Sequence, residues 1–168
     1  MSEPVPCPPS SDYTLAQQAQ AVAANPDISA WVSANAGSGK TKVLIDRVAR
    51  LLLEGAKPDS ILCVTYTKAA ANEMLARLFD RLGQWSIMDE PKLAKRLAEL
   101  EGRDAASYDS ARIRAARALF AQALETPGGL RIETIHAFCA RVLRRFPLEA
   151  GVSPGFAEIE EDDARALW

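Results

Sequence analysis

The sequence predicts an α/β fold in which a parallel sheet is flanked by helices. Three observations predict it. Short apolar runs alternate with longer segments of helical periodicity, the pattern of parallel strands joined by crossover helices. A glycine loop, residues 34 to 41, joins the first apolar run to the first long helix. The run Ile61-Leu62-Cys63-Val64-Thr65 is apolar almost throughout, as in a parallel strand buried on both faces.

The elements follow in order. Residues 1–13 hold Pro4, Pro6, Pro8 and Pro9 with two serines, and read as a disordered tail that cannot bury a core. Thr14 to Ala24 reads as a helix rich in alanine and glutamine, closed by Asn25-Pro26. Ser29 to Ser33 is the expected first strand. From Thr41 to about Gly55, Val43, Leu44, Val48, Leu51 and Leu52 recur at helical spacing, with Asp46, Arg47 and Arg50 on the wetter face. After the strand at 61–65 a helix is predicted from about Lys68 to Leu82. Residues 83–128 change character, with Ala, Leu, Arg and Glu dominant and breaks at Pro91, Gly102 and Pro127-Gly128-Gly129. They read as a helical insertion of two helices, about 91–101 and 109–125. Leu130 to Glu133 is a short third strand, and Ile135 to Phe146 a helix stopped by Pro147. Residues 14–82 and 129–168 thus read as two parts of one domain interrupted by the insertion. The acidic run Glu158-Ile159-Glu160-Glu161-Asp162-Asp163 reads as the solvated start of a final helix.

The loop Ala34-Asn35-Ala36-Gly37-Ser38-Gly39-Lys40-Thr41 carries the first chemistry. Glycines after a strand let backbone N–H groups turn toward phosphate oxygens, and the following helix points its positive dipole end at the same anion. Lys40 is placed to reach the β- and γ-phosphates, and the Thr41 hydroxyl to ligate Mg²⁺. A nucleoside triphosphate, with ATP as the cofactor, is the expected ligand. The customary first glycine of such loops is Ala34 here, while Gly37 and Gly39 remain.

Two further segments open helices directly after strands, the edge at which open α/β sheets bind ligands. Thr65, Tyr66, Thr67 and Lys68 gather two hydroxyls, a ring and an ammonium group, a set suited to a single nucleic acid strand. Thr67 can equally cap the helix that follows. The second segment, Thr134-Ile135-His136-Ala137-Phe138-Cys139, holds the chain's single histidine and precedes Arg141, Arg144 and Arg145. With no second histidine, contact with a phosphate or base edge fits His136 better than metal or acid–base work.

Composition narrows the class further. A length of 168 residues suffices for one domain with a core. The formal net charge of −2 decides nothing about nucleic acid, because local patches matter more than totals. Three cysteines without a CxxC spacing suggest neither a disulfide framework nor a zinc site. No run approaches the length of a transmembrane helix, and a cytoplasmic protein is expected.

Taken together, Ala-x-x-Gly-Ser-Gly-Lys-Thr, Val-Thr-Tyr-Thr-Lys-x-Ala-Ala-x-Glu-Met and Thr-Ile-His-x-Phe resemble motifs I, Ia and Ib of the superfamily 1 DNA helicases related to UvrD and RecB. The similarity runs from about Gln17 to the C-terminus. Within that group the segments 29–41, 120–129 and 134–139 are most similar to the AddA family of bacterial helicase–nuclease subunits. The resemblance implies a RecA-like P-loop NTPase fold and accounts for Ala34, since an initial alanine is common in the group. It implies that residues 34–41 hold ATP with Mg²⁺, with Lys40 catalytic. A glutamine of the first helix would read adenine, Gln20 by its spacing to Pro26 or Gln18 by its spacing to Val22. Thr65, Tyr66 (where phenylalanine is more usual), Thr67, Lys68, Thr134, His136 and Phe138 would line a single-strand track. The implied partners are single-stranded DNA, duplex DNA ends and an AddB-type subunit.

The same resemblance exposes an expected gap. Hydrolysis needs a carboxylate pair for Mg²⁺ and water, and an arginine against the γ-phosphate. In these helicases both lie further along the chain, and residues 158–163 lack the apolar strand that should precede the carboxylates. The expectation is therefore an N-terminal part of a longer enzyme that, alone, binds ATP weakly at most and turns over negligibly. A UvrD-like helicase without nuclease, or a non-hydrolysing ATP- or DNA-binding module, are the alternatives.

Overall fold

The computed structural model describes residues 11–33, 35 and 39–157, without the side chains of residues 11–14 and 16. Residues 1–10, most of the glycine loop and the acidic run at 158–163 lie outside the described residues. The chain forms α1 (Ser11–Ala23), α2 (Lys40–Leu53), β1 (Leu62–Thr65), α3 (Lys68–Ile87), α4 (Glu90–Glu101), α5 (Ser110–Glu125), β2 (Arg131–Thr134) and α6 (Ile135–Arg145). It is a helix-rich α/β fold. β1 and β2 pair in parallel, with Leu62 opposite Arg131 and Thr65 opposite Thr134. The crossover between them is α3, α4 and α5, as a parallel pair requires a long connection.

The core lies where α2, α3, α4 and α5 meet. Leu78, Leu82, Leu93, Leu97 and Ile113 are its largest fully buried side chains. Phe79 of α3 meets Phe120 of α5 edge to face, with centroids 6.1 Å apart. Helix ends are set by local chemistry. The Thr67 hydroxyl accepts from Ala70 N at the start of α3, Asp109 from Arg112 N at α5, and Thr134 from Ala137 N at α6. Gly102, at φ 67°, closes α4 in the left-handed conformation that glycine adopts without strain.

Several expectations are corrected. Residues 29–33 form no strand: β1 and β2 bond to each other, and 29–33 join neither. Apolar composition supplies no ladder of its own, and Trp31 is left 95% exposed. β1 is buried on one face only. Cys63 faces the core, while Leu62 and Val64 are exposed on a face that no described element covers fully. α1 begins at Ser11 rather than Thr14, taking in a serine and an aspartate that suit a helix N-terminus. α3 runs on past Leu82 to Ile87, because Trp85 extends the buried stripe of Met74, Leu78 and Leu82.

The wet face assigned to α2 is also corrected. Asp46 is 9% exposed and pairs with Arg81 of α3 and, at 3.7 Å, with Lys42. Arg47 and Arg50 are half-buried against α1. Both neighbours of α2 come from distant sequence, so periodicity could not reveal them. Leu44 is exposed and Ile45 buried, the reverse of the predicted stripe.

Burial pushes the Cys63 thiol above its ordinary value, whereas Cys139 is exposed on α6. A maleimide at neutral pH is expected to label Cys139 about tenfold faster than Cys63, since reaction needs an accessible thiolate. Peptide mapping after timed labelling checks this. Among the described residues, no helix is long and apolar enough to cross a membrane.

Candidate nucleotide and nucleic-acid site

The predicted site residues fall into two groups. The first surrounds the start of α2. Gly39 precedes it at φ 88°, a left-handed conformation that a residue with a Cβ rarely adopts. Lys40 is then the first helical residue and Thr41 the second, both exposed. Lys40 Nζ donates to the Asn35 carbonyl at 2.7 Å, joining the two sides of the loop. No acidic residue occupies the first turn of α2, so the dipole end is left positive for an anion. This cradle fits a phosphate. Ala34, Ala36, Gly37 and Ser38 of the predicted set lie outside the described residues.

Gln20 belongs to this group and Gln18 does not. The Gln20 amide nitrogen sits 3.0 Å from where a Cβ on Gly39 would lie, so glycine there also makes room for it. Gln20 Oε1 accepts from Lys42 Nζ at 3.3 Å. Gln18 is exposed. Two residues on a helix separated by one point in nearly opposite directions, so only one of them can face α2. Beside Gln20 opens a cleft of about 620 Å³ lined by Lys42, Asp46, Arg81, Trp85 and Arg96, among others. It has room for a base-sized ligand with polar edges.

The second group lies at the carboxyl edge of the sheet. The register that pairs Thr65 with Thr134 sets the two motif segments side by side. Tyr66 is 88% exposed, and Thr67, Lys68 and His136 are exposed with it. Two of the predicted contacts have local tasks. Thr67 and Thr134 spend their hydroxyls on helix caps, and Thr134 is buried as well. Phe138 is half-buried under Arg141, whose guanidinium carbon lies 5.4 Å from the ring centroid. Arg141 also pairs with Glu133 of β2. Arg144 and Arg145 lie over Phe156 and Phe146. The arginine cluster read from sequence is therefore partly occupied with holding α6.

Lys42, Arg47 and Arg81 carry no motif signal and were not predicted for the site. Lys42 follows Thr41 directly, and that adjacency was the available clue.

The sequence is also similar to those of known proteins. The chain is 37% identical over 147 residues to the AddA chain of the ATP-dependent helicase/nuclease of Lactiplantibacillus plantarum, covering 87% of this chain and 10% of the relative. It is 34% identical to the protein of that name from Enterococcus faecalis, over 99% of this chain and 11% of the relative. The Bacillus pumilus counterpart is 32% identical over 97% of this chain and 11% of its own length. The chain thus spans about a tenth of the length of these curated relatives. The sequence signature of the UvrD/REP helicase N-terminal domain matches residues 15–168. With so little of the chain outside that match, the protein belongs to the family of UvrD/REP helicase N-terminal domains.

Proposed function

We propose that the chain is the N-terminal, nucleotide-binding part of an AddA-type ATP-dependent DNA helicase–nuclease that translocates on single-stranded DNA and processes double-strand breaks in the cytoplasm. The observation that carries this reading is the pair of parallel strands whose registered ends present Tyr66 and His136 together, in a chain whose α2 opens on Gly39-Lys40-Thr41. The relatives' shared name supports the helicase–nuclease activity and a second, AddB-type subunit.

In this reading residues 34–41 grip the triphosphate of ATP. Lys40 meets the β- and γ-phosphates, and Thr41 holds the Mg²⁺ that travels with them. That ion neutralises charge on the phosphate oxygens when bound. Gln20, beside Gly39 and Lys42, reads the adenine edge from the adjoining cleft. Tyr66 offers a ring for a base to stack on, with Lys68 and His136 nearby for phosphates, and Thr65 and Phe138 shaping the edge. Thr67 and Thr134 act through the helices they cap. Residues 83–128 form an insertion whose helices wall the cleft through Arg96 and its neighbours.

Tyr66→Ala in the full-length protein is expected to weaken single-strand binding about tenfold, since stacking one base on a ring contributes roughly 1–3 kcal/mol. Fluorescence anisotropy with a labelled oligonucleotide measures it. An affinity unchanged from wild type would remove Tyr66 from the track and favour a nucleotide-binding module that does not grip DNA here.

A further inference from the structure

The position of Gln20 depends on α1, and the described apolar side chains of α1 hold it little. Its Leu15 and Val22 are 62% and 61% exposed. What fastens its C-terminal end is a pair of arginines from α2. The last four carbonyls of a helix lack intrahelical partners. In α1 all four are satisfied: Gln20 O by Ala24 N at 2.9 Å and Val22 O by Asn25 N at 3.0 Å. Ala21 O accepts from Arg50 at 3.1 Å and Ala23 O from Arg47 at 3.2 Å. Arg47 goes further. Its two terminal nitrogens also donate to Asn25 O at 2.6 Å, Pro26 O at 3.4 Å and Ile28 O at 2.7 Å. One half-buried guanidinium thus gathers four carbonyls of the segment 23–28.

We propose that Arg47 is a positioning residue for base recognition, holding the end of α1 on α2 so that Gln20 stands against Gly39. The inference rests on the adenine-reading role proposed above for Gln20. Arg47 and Gly39 lie about two turns apart along α2 and its N-cap, so one helix carries both the clamp and the glycine that Gln20 faces. A guanidinium suits this task because its fork presents several fixed donors at once, and a positive charge complements the negative end of the α1 dipole. Lysine has the charge without the fork.

The consequence is specific. Loss of Arg47 frees the 23–28 segment and lets Gln20 leave the base, while the phosphate contacts of Lys40 and Thr41 stay. Discrimination between purines should fall, because GTP carries a carbonyl where ATP carries an amino group.

The experiment uses the full-length protein and measures kcat/KM for ATP and for GTP in single-strand-stimulated hydrolysis, for wild type, Gln20→Ala, Arg47→Ala, Arg47→Lys and the Gln20→Ala/Arg47→Ala double variant. The expected result is a preference for ATP that falls about tenfold in Gln20→Ala and comparably in Arg47→Ala, with no further fall in the double variant. Arg47→Lys should lose part of the preference, and its single-strand affinity should match wild type. If Arg47→Ala does not fold, Arg47→Lys carries the test. Arg47 variants that keep the full preference while Gln20→Ala loses it, or additive losses in the double variant, would overturn the role of Arg47. A wild-type protein without purine preference, or Gln20→Ala without a loss, would overturn the adenine reading beneath it.

Discussion

Replacing Lys40 by alanine in the full-length protein is expected to slow ATP hydrolysis by about 10²–10³-fold, the loss typical when a preorganised charge is removed from a reacting centre. Lys40 is the first residue of α2, exposed, and follows a glycine held at φ 88°. That placement aims its ammonium group and the helix dipole at one spot. Its contact with the Asn35 carbonyl is on the surface, so stability should change by no more than about 0.5 kcal/mol. Steady-state hydrolysis and a thermal melt of the same preparation check the two halves. A loss of less than about threefold would place the phosphate grip elsewhere.

Glu101→Ala is expected to destabilise the chain by about 2–3 kcal/mol. The Glu101 side chain is 5% exposed and accepts from Arg112 and from the Tyr108 hydroxyl, each at 2.8 Å, with Arg103 at 3.7 Å. Arg112 also donates to the carbonyl of Leu53, the last residue of α2. One carboxylate therefore ties α4 to the α5 arginine that caps the C-terminal end of α2. Removing it leaves the Tyr108 phenol and the half-buried Arg112 guanidinium without their carboxylate acceptor. Breaking a fully buried pair typically costs about 3–5 kcal/mol, and the lower figure reflects the partial exposure of Arg112. In a chain of this size it corresponds to a fall in Tm of roughly 5–10 °C. Denaturant and thermal unfolding measure it, and Glu101→Gln, which keeps an acceptor oxygen, should recover part of the loss. An unfolding curve unchanged by Glu101→Ala would show the cluster to be surface decoration.

Much of this architecture was legible from residues alone. The helices at 40–53, 90–101, 110–125 and 135–145 follow from apolar period and from glycine and proline punctuation. β1 falls within its predicted run, and β2 lies one residue beyond its own, ending at Thr134. The neighbours of each element were less legible. A period of 3.6 picks out Val43, Val48 and Leu52 of α2 as buried but misplaces Leu44, and it cannot tell that Asp46 meets Arg81 or that Arg47 meets the end of α1. The stretch 29–33 shows the converse limit, because β propensity makes no strand without a ladder. At the site, the glycine loop and the two post-strand segments stood out by composition. The choice between Gln18 and Gln20 did not, since it depends on which side of α1 packs toward Gly39. By residue type Thr67 and Thr134 suit either a strand contact or a cap, and the local turn commits both hydroxyls to caps.

The most direct measurement is the rate of ATP hydrolysis by the full-length protein as single-stranded DNA is added. It asks whether the triphosphate grip at Gly39-Lys40-Thr41 and the sheet edge at Tyr66 and His136 serve one motor. The predicted result is saturable stimulation that disappears in Lys40→Ala and needs about tenfold more DNA in Tyr66→Ala. Hydrolysis indifferent to DNA, or a Tyr66→Ala curve that superimposes on wild type, would contradict it.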